Sequence, residues 1–141
     1  REMFEQHISF NQLLGLKIIS MQPGDVRGRF AMKPELVGHF TYGRLHGGVI
    51  SSVLDATGGL ALMVEIAERH PGDTAMQALH RFARLGTIDL RTDFLRQGLG
   101  RRFMTQAEVT RLGGRVGSVQ MRLTNDAGEV IATGSGAYIV S

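Results

Sequence analysis

Asp55 and His46 are the residues whose type and setting invite chemistry. They stand nine positions apart within residues 43–67, a stretch otherwise made mostly of glycine and apolar side chains. An aspartate is seldom buried unless it is paired or put to use, because water solvates a carboxylate far better than hydrocarbon does. Two roles fit Asp55. It pairs with an arginine or caps a neighbouring element, or it works on a bound molecule as general base or nucleophile. His46 taken alone reads as a satisfied polar group beside a helix start. Gly47 and Gly48 follow it. A helix that opens there offers unpaired backbone N–H groups and the positive end of its dipole, which suit an oxygen gaining negative charge.

The element that must carry these groups is a central helix over residues 47–67. The segment lacks proline and is apolar nearly all round, the mark of a buried helix. It keeps glycines at 47, 48, 58 and 59. Each interior glycine costs a helix roughly 1 kcal/mol against alanine. Their retention predicts that a backbone, a partner or a ligand comes close. Asp55 and Glu65 interrupt the run, which argues against a transmembrane span.

The chain has 141 residues, enough for a single domain with a real core, 1–141. Its net charge of +3 comes from interspersed signs without a long basic run, so a nucleic-acid arm is not expected. Cysteine is absent; neither a disulfide framework nor a cysteine zinc site is expected, and no ligand spacing suggests a metal. The first residues show no secretory signal pattern. A cytoplasmic location follows as an expectation.

Residues 1–14 read as a short amphipathic helix with Phe4, Ile8 and Leu13 inward and Gly15 as its stop. Residues 16–21 and 26–32 read as two strands paired through a Pro23-Gly24-Asp25 turn. Residues 35–44 are a loop. Residues 74–85 read as a mobile loop with one or two helical turns. Four strands then follow as hairpins, the first with Ile88, Leu90 and Phe94 inward, separated by turns at 97–100, 112–114 and 125–128. One buried helix against one antiparallel sheet makes this an α+β layer architecture.

The strand-strand-helix-four-strand order, with Leu45-His46-Gly47-Gly48 opening the helix and an acid nine residues after the histidine, resembles the hotdog-fold acyl-CoA thioesterases. Residues 87–95, Thr-Ile-Asp-Leu-Arg-Thr-Asp-Phe-Leu, are similar to that family's third strand. The branch it looks most like is the phenylacetic-acid type, whose helical acid is an aspartate. The resemblance covers roughly residues 14–138. It implies one long central helix wrapped by a five- or six-stranded antiparallel sheet. It also implies an acyl-CoA substrate, no cofactor, and a homodimer or homotetramer with sites between subunits. Geometry points the same way: nine helical residues rise about 13 Å, so His46 and Asp55 of one chain cannot both touch one carbonyl carbon. A two-fold axis would bring Asp55 of one copy to the helix start of another.

The resemblance assigns roles. Amides at Gly47 and Gly48 would hold the thioester oxygen. Asp55 would activate water or attack the carbonyl itself, a choice left open. His46 would orient the thioester or fix its loop. Two positions depart from the family pattern. Residues 37–42 lack the amide side chain many members carry there. The position one turn after the acid, often Ser or Thr, is Gly59, with Thr57 nearby; both are counted as substrate-facing. Arg111, Gly113, Gly114 and Arg115 form a basic glycine hairpin suited to coenzyme A phosphates, with Arg96, Arg101 and Arg102 close in sequence. Plain solvated turn residues are the competing reading. The acyl tail would lie against Ile50, Val53 and Leu54, with the 76–82 segment as lid or as mere surface. A hydratase or dehydratase, which needs a histidine paired with an acid, is a lesser alternative, because the histidine context usual in those hotdog enzymes, followed by prolines, is missing. A module that binds acyl-CoA without turnover is the remaining alternative.

Overall fold

In the computed structural model, which describes residues 1–141, a π-helical turn (Met3–His7) leads into α1 (Ser9–Leu14), β1 (Lys17–Gln22) and β2 (Asp25–Ala31). A 3-10 turn (Pro34–Leu36) precedes β3 (Val37–His39), β4 (Arg44–Leu45) and the central helix α2 (Gly47–Arg69). The chain finishes with α3 (Ala75–Phe82), β5 (Gly86–Phe94), β6 (Arg102–Leu112), β7 (Val116–Asn125) and β8 (Val130–Ile139). Helix α2 outruns the apolar stretch and stops at Pro71, because the residue before a proline is held out of the helical region; His70 sits at φ −131°, ψ 60°.

Six strands form one antiparallel sheet in the order β1-β2-β6-β7-β8-β5, and β3 and β4 make a small separate ribbon. The sheet wraps α2 in a hotdog fold. From α2, Ile50, Val53, Leu54, Leu60, Ala61 and Leu62 are buried against Phe103, Val119, Met121, Leu123, Ile131 and Tyr138. Full burial of each large aliphatic side chain contributes about 1.5–3 kcal/mol. By length and composition α2 could also cross a bilayer; here the sheet takes up its apolar side.

The last four strands are not a run of hairpins. β6–β7 and β7–β8 are, but β5 crosses to the far edge and pairs with β8, and β2 takes the place beside β6. The expected turn at 97–100 belongs to a crossing loop. Its Leu95 and Arg96 N–H groups both donate to the Ile131 carbonyl, and its Gly98 carbonyl accepts from Leu45. The loop passes so close to β4 that a Cβ at Gly98 would stand 2.8 Å from Leu45 Cβ. At the edge, Ile88 and Phe94 are each 55% exposed instead of inward. Ile88 falls in a register shift between Thr87 and Asp89, as the extra residue of a bulge does. Phe94 leans over the start of α2, where a Cβ on Gly47 would meet its ring at 3.5 Å.

The N-terminal helix is broken at Ile8 (φ −96°, ψ 104°). The Asn11 side chain donates to the Phe4 carbonyl at 3.0 Å, a side-chain substitute for the helical ladder. Phe4, Asn11 and Leu14 are buried, while Ile8 and Leu13 are exposed rather than inward. In the 74–85 segment the expected helical turns are α3, and Thr74 and Gln77 form a reciprocal capping box at its start.

Candidate active site

Asp55 lies half-buried on the side of α2 that faces β5 and the end of β8. Its Oδ1 accepts a hydrogen bond from Thr87 Oγ1 at 2.8 Å and one from the Tyr138 hydroxyl at 2.9 Å. The same hydroxyl stands 2.8 Å from the Asp55 carbonyl, so one proton is shared between two acceptors. Oδ2 takes no hydrogen bond from the protein, and no arginine or lysine pairs with the carboxylate. Of the two roles open to Asp55, the arginine-paired one is therefore excluded. The carboxylate opens on a hollow of about 260 Å³, bordered by Ser52, Gly59, Thr87 and Tyr138 and by apolar Phe4, Phe10, Leu60, Met63 and Leu85.

Neither Tyr138 nor Thr87 was legible as a site residue. Residues 132, 134, 136 and 138 alternate inward on β8, and a buried tyrosine demands a partner for its hydroxyl. That demand was the available signal; the partner's identity needed the register of β8 against α2. The approach is made possible by Gly58, where a Cβ would sit 2.6 Å from the Tyr138 oxygen. Burial, then the charge of Asp55 and its hydrogen bond, push the Tyr138 phenol well above its ordinary value of 10.0, so it stays a neutral donor.

His46 is the N-cap of α2, and its Nδ1 accepts from the Gly48 N–H at 2.8 Å. An Nδ1 that accepts leaves the ring proton on Nε2. Gly48 is thus committed to its own histidine and is not a free donor, contrary to expectation. Glycine is needed there because a Cβ would meet Nδ1 at 2.9 Å. The Gly47 N–H has no partner within the chain. The β3–β4 ribbon sets this corner. Leu36 accepts the His46 N–H at 2.9 Å, and a Cβ on Gly38 would fall 2.5 Å from His46 Cα. Along α2 the free amide and the carboxylate stand about 12 Å apart, since eight residues separate them.

Thr57 does not face the site. It is 1% exposed, donates to the Val53 carbonyl at 2.6 Å and meets Thr105 Oγ1 at 2.7 Å inside the core. Two residues along an α-helix point to nearly opposite sides, which sends Thr57 to the sheet when Asp55 faces the hollow. Gly59 does border the hollow. Ile50, Val53 and Leu54 are buried in the core and cannot line a tail.

The glycine hairpin at Gly113 and Gly114 lies at the other end of α2, where Arg69 donates to the Leu112 carbonyl at 3.1 Å. Fourteen residues from Asp55 to Arg69 amount to about 21 Å. Gly113 and Gly114 border a hollow of about 490 Å³ with Arg69, His70, Arg81 and Arg84. Arg111 and Arg115 are exposed on either side of the turn. Arg101 and Arg102 sit at the opposite end of β6, about 30 Å away. Arg96 donates to the Val130 carbonyl.

A sequence profile of the family described as Thioesterase superfamily matches residues 42–132. The chain is 36% identical to the medium/long-chain acyl-CoA thioesterase YigI of Salmonella typhimurium, over 99% of this chain and 90% of that protein. A crystal structure of a Shewanella oneidensis protein related to the thioesterase superfamily superposes with a TM-score of 0.94. It is 41% identical, over 99% of this chain and 92% of that one. The PaaI protein of the Escherichia coli phenylacetic acid degradation operon, 20% identical, shares the fold with a TM-score of 0.77, over 99% of this chain and 88% of that one.

Proposed function

The chain belongs to the thioesterase superfamily, and from that premise we propose that it hydrolyses acyl-CoA to the free acid and coenzyme A. The observation that carries this reading is the Asp55 carboxylate. One of its oxygens is fixed by two hydroxyls and the other is free in a hollow, with no neutralising cation. A structural aspartate would be paired on both sides or turned to bulk water.

The chemistry needs a carboxylate and an oxyanion donor at one carbonyl. The 12 Å between them in one copy makes the site a two-chain site: Asp55 of one subunit and the Gly47 amide of another. Support comes from β5, an unpaired sheet edge with apolar Ile88, Phe94 and Leu95 exposed. Such edges are templates for a second strand. In the general-base route, Oδ2 takes a proton from water as the water oxygen adds to the carbonyl carbon. The Gly47 N–H and the helix dipole hold the oxyanion. Collapse breaks the C–S bond, and the proton passes to the leaving sulfur. In the nucleophilic route, Oδ2 adds first and expels coenzyme A thiolate, leaving an anhydride that water cleaves. His46 serves by holding the helix start. The hairpin of Gly113, Gly114, Arg111 and Arg115, joined by Arg69, His70, Arg81 and Arg84, would take the coenzyme A phosphates.

The test is thiol release from a panel of acyl-CoA esters. Asp55→Asn should lower kcat/KM by about 10²–10⁴-fold while the melting transition persists. Undiminished turnover in Asp55→Asn refutes the site. Acyl-CoA binding without turnover by the unaltered protein makes this a binding module. Single turnover in ¹⁸O-water distinguishes the general-base route from a nucleophilic one whose anhydride water opens at the Asp55 Cγ, because only the latter delivers an unlabelled Asp55 oxygen into the first acid released.

A further inference from the structure

Strand β5 changes face where it passes Asp55. Beyond Ile88 its even-numbered residues look onto α2: the Thr92 hydroxyl accepts from Ser51, Leu90 packs on the core and Phe94 lies over Gly47. Strict alternation would turn Gly86 and Ile88 towards α2 as well, and Thr87 away from it. Thr87 nevertheless reaches α2 and donates to Asp55 Oδ1 at 2.8 Å. The bulge makes the difference. Thr87 pairs with Tyr138 and Asp89 with Ala137, so Ile88 is one residue too many and the inward face switches from even to odd. The Asp89 side chain braces the kink by accepting the Ala137 N–H at 3.2 Å. A single cross-strand pair, Thr87 with Tyr138, thus presents two hydroxyls to one carboxylate oxygen.

We propose that Thr87 and Tyr138 are positioning residues for the hydrolysis: together they fix the plane of the Asp55 carboxylate and reserve Oδ2 for the reacting water or carbonyl. The proposal rests on the hydrolase reading and deepens it. An aspartate carboxylate turns readily about its last bond, because that torsion is broad and two-fold. Two donors on Oδ1, one from β5 and one from β8, leave it a single orientation with Oδ2 in the hollow. Tyr138 is the firmer anchor, being buried and held as a neutral phenol.

A plain structural clip between sheet and helix is the competing role. For a clip, the Tyr138 bond to the Asp55 backbone carbonyl at 2.8 Å would suffice. The second bond to the side chain, and the bulge that delivers Thr87, act on the carboxylate alone. Neither hydroxyl has to touch the substrate or give up its proton. Each acts by holding Oδ2 in place, where a misplacement of about 1 Å can cost about 10²-fold in rate.

The test is thiol release from the ester of the acyl-CoA panel that the unaltered protein cleaves fastest. Thr87→Val and Tyr138→Phe keep the side-chain size and remove the donor. Each should lower kcat by about tenfold or more with KM held within about threefold. Thr87→Ser restores the hydroxyl and should return kcat to within about threefold of the original. Deleting Ile88 removes the bulge, turns Thr87 off Asp55 and should match Thr87→Val in kcat. Asp55→Asn is measured alongside. If it leaves turnover intact, the hydrolytic site and the proposal fall together. If it abolishes turnover while Thr87→Val and Tyr138→Phe, with melting transitions preserved, keep the original kcat, the positioning role alone is overturned. Equal losses in Thr87→Val and Thr87→Ser, or a loss carried by KM, overturn it too.

Discussion

Adding one methyl to each of two adjacent glycines should move stability in opposite directions. At Gly58 a Cβ would fall 2.6 Å from the Tyr138 oxygen, 3.0 Å from Val119 Cγ2 and 3.4 Å from Met121 Sδ. Tyr138 is 2% exposed and cannot swing aside. The phenol would have to retreat by most of an ångström, away from Asp55. Overpacking of this kind costs about 1–3 kcal/mol, and the displaced hydrogen bond to a carboxylate is worth about 1.5–3 kcal/mol. Alanine's better helix propensity returns about 1 kcal/mol. Gly58→Ala should thus be net destabilising by about 2–4 kcal/mol. At Gly59 a Cβ would meet Leu85 Cδ2 at 3.5 Å and Tyr138 Cε2 at 3.8 Å, both ordinary contacts. Gly59→Ala should therefore gain up to about 1 kcal/mol, while its methyl narrows the hollow beside Asp55. Urea unfolding measures both. In a Tyr138→Phe background the clash with the hydroxyl is gone, so the Gly58→Ala penalty should shrink; a double-mutant cycle reads the coupling. If Gly58→Ala is as stable as Gly59→Ala, the packing of Tyr138 against α2 is wrong, and the Tyr138–Asp55 contact with it.

Tyr138 also sets an alkaline limit. Its phenol ionises near 10 in the unfolded chain and higher in the fold, so stability is full below pH 10. Above that it falls by about 1.4 kcal/mol per pH unit, and the slope should vanish in Tyr138→Phe. On the acid side, the hydrogen bond from Arg81 holds Asp73 below its ordinary 3.8, so this pair stabilises α3 above that pH and is lost as pH falls beneath it. Melts of Asp73→Asn against the unaltered chain should differ at pH 7, and the difference should shrink as pH falls below 3.8. Replacing His46 by alanine removes the N-cap, with an expected loss of about 1 kcal/mol by urea unfolding. A loss of more than a hundredfold in turnover there would give His46 a direct part in the chemistry. Thr57→Val should lower stability while leaving kcat near its original value; a large fall in kcat would put Thr57 in the site after all.

Much of this protein was legible residue by residue. Apolar character without a polar face, no proline between residues 47 and 70 and an acid out of place announced α2 and singled out Asp55. Alternation and turn chemistry announced β1, β2, β6, β7 and β8, because a two-residue or 3.6-residue period is a property of the local chain. Motif spacing carried the family. What the chain alone did not carry were contacts between distant segments. The crossing of β5 to the far edge depends on hydrogen bonds from Leu95 and Arg96 to Ile131, which no local pattern encodes. The capture of the Gly48 amide by His46 turned on one side-chain rotamer. Thr57, counted as substrate-facing, is sealed into the core, and Tyr138 is brought to the carboxylate. The reason is that strand register and helix rotation are decided by the packing of the whole sheet on α2. Only that packing says which hydroxyl an aspartate will meet.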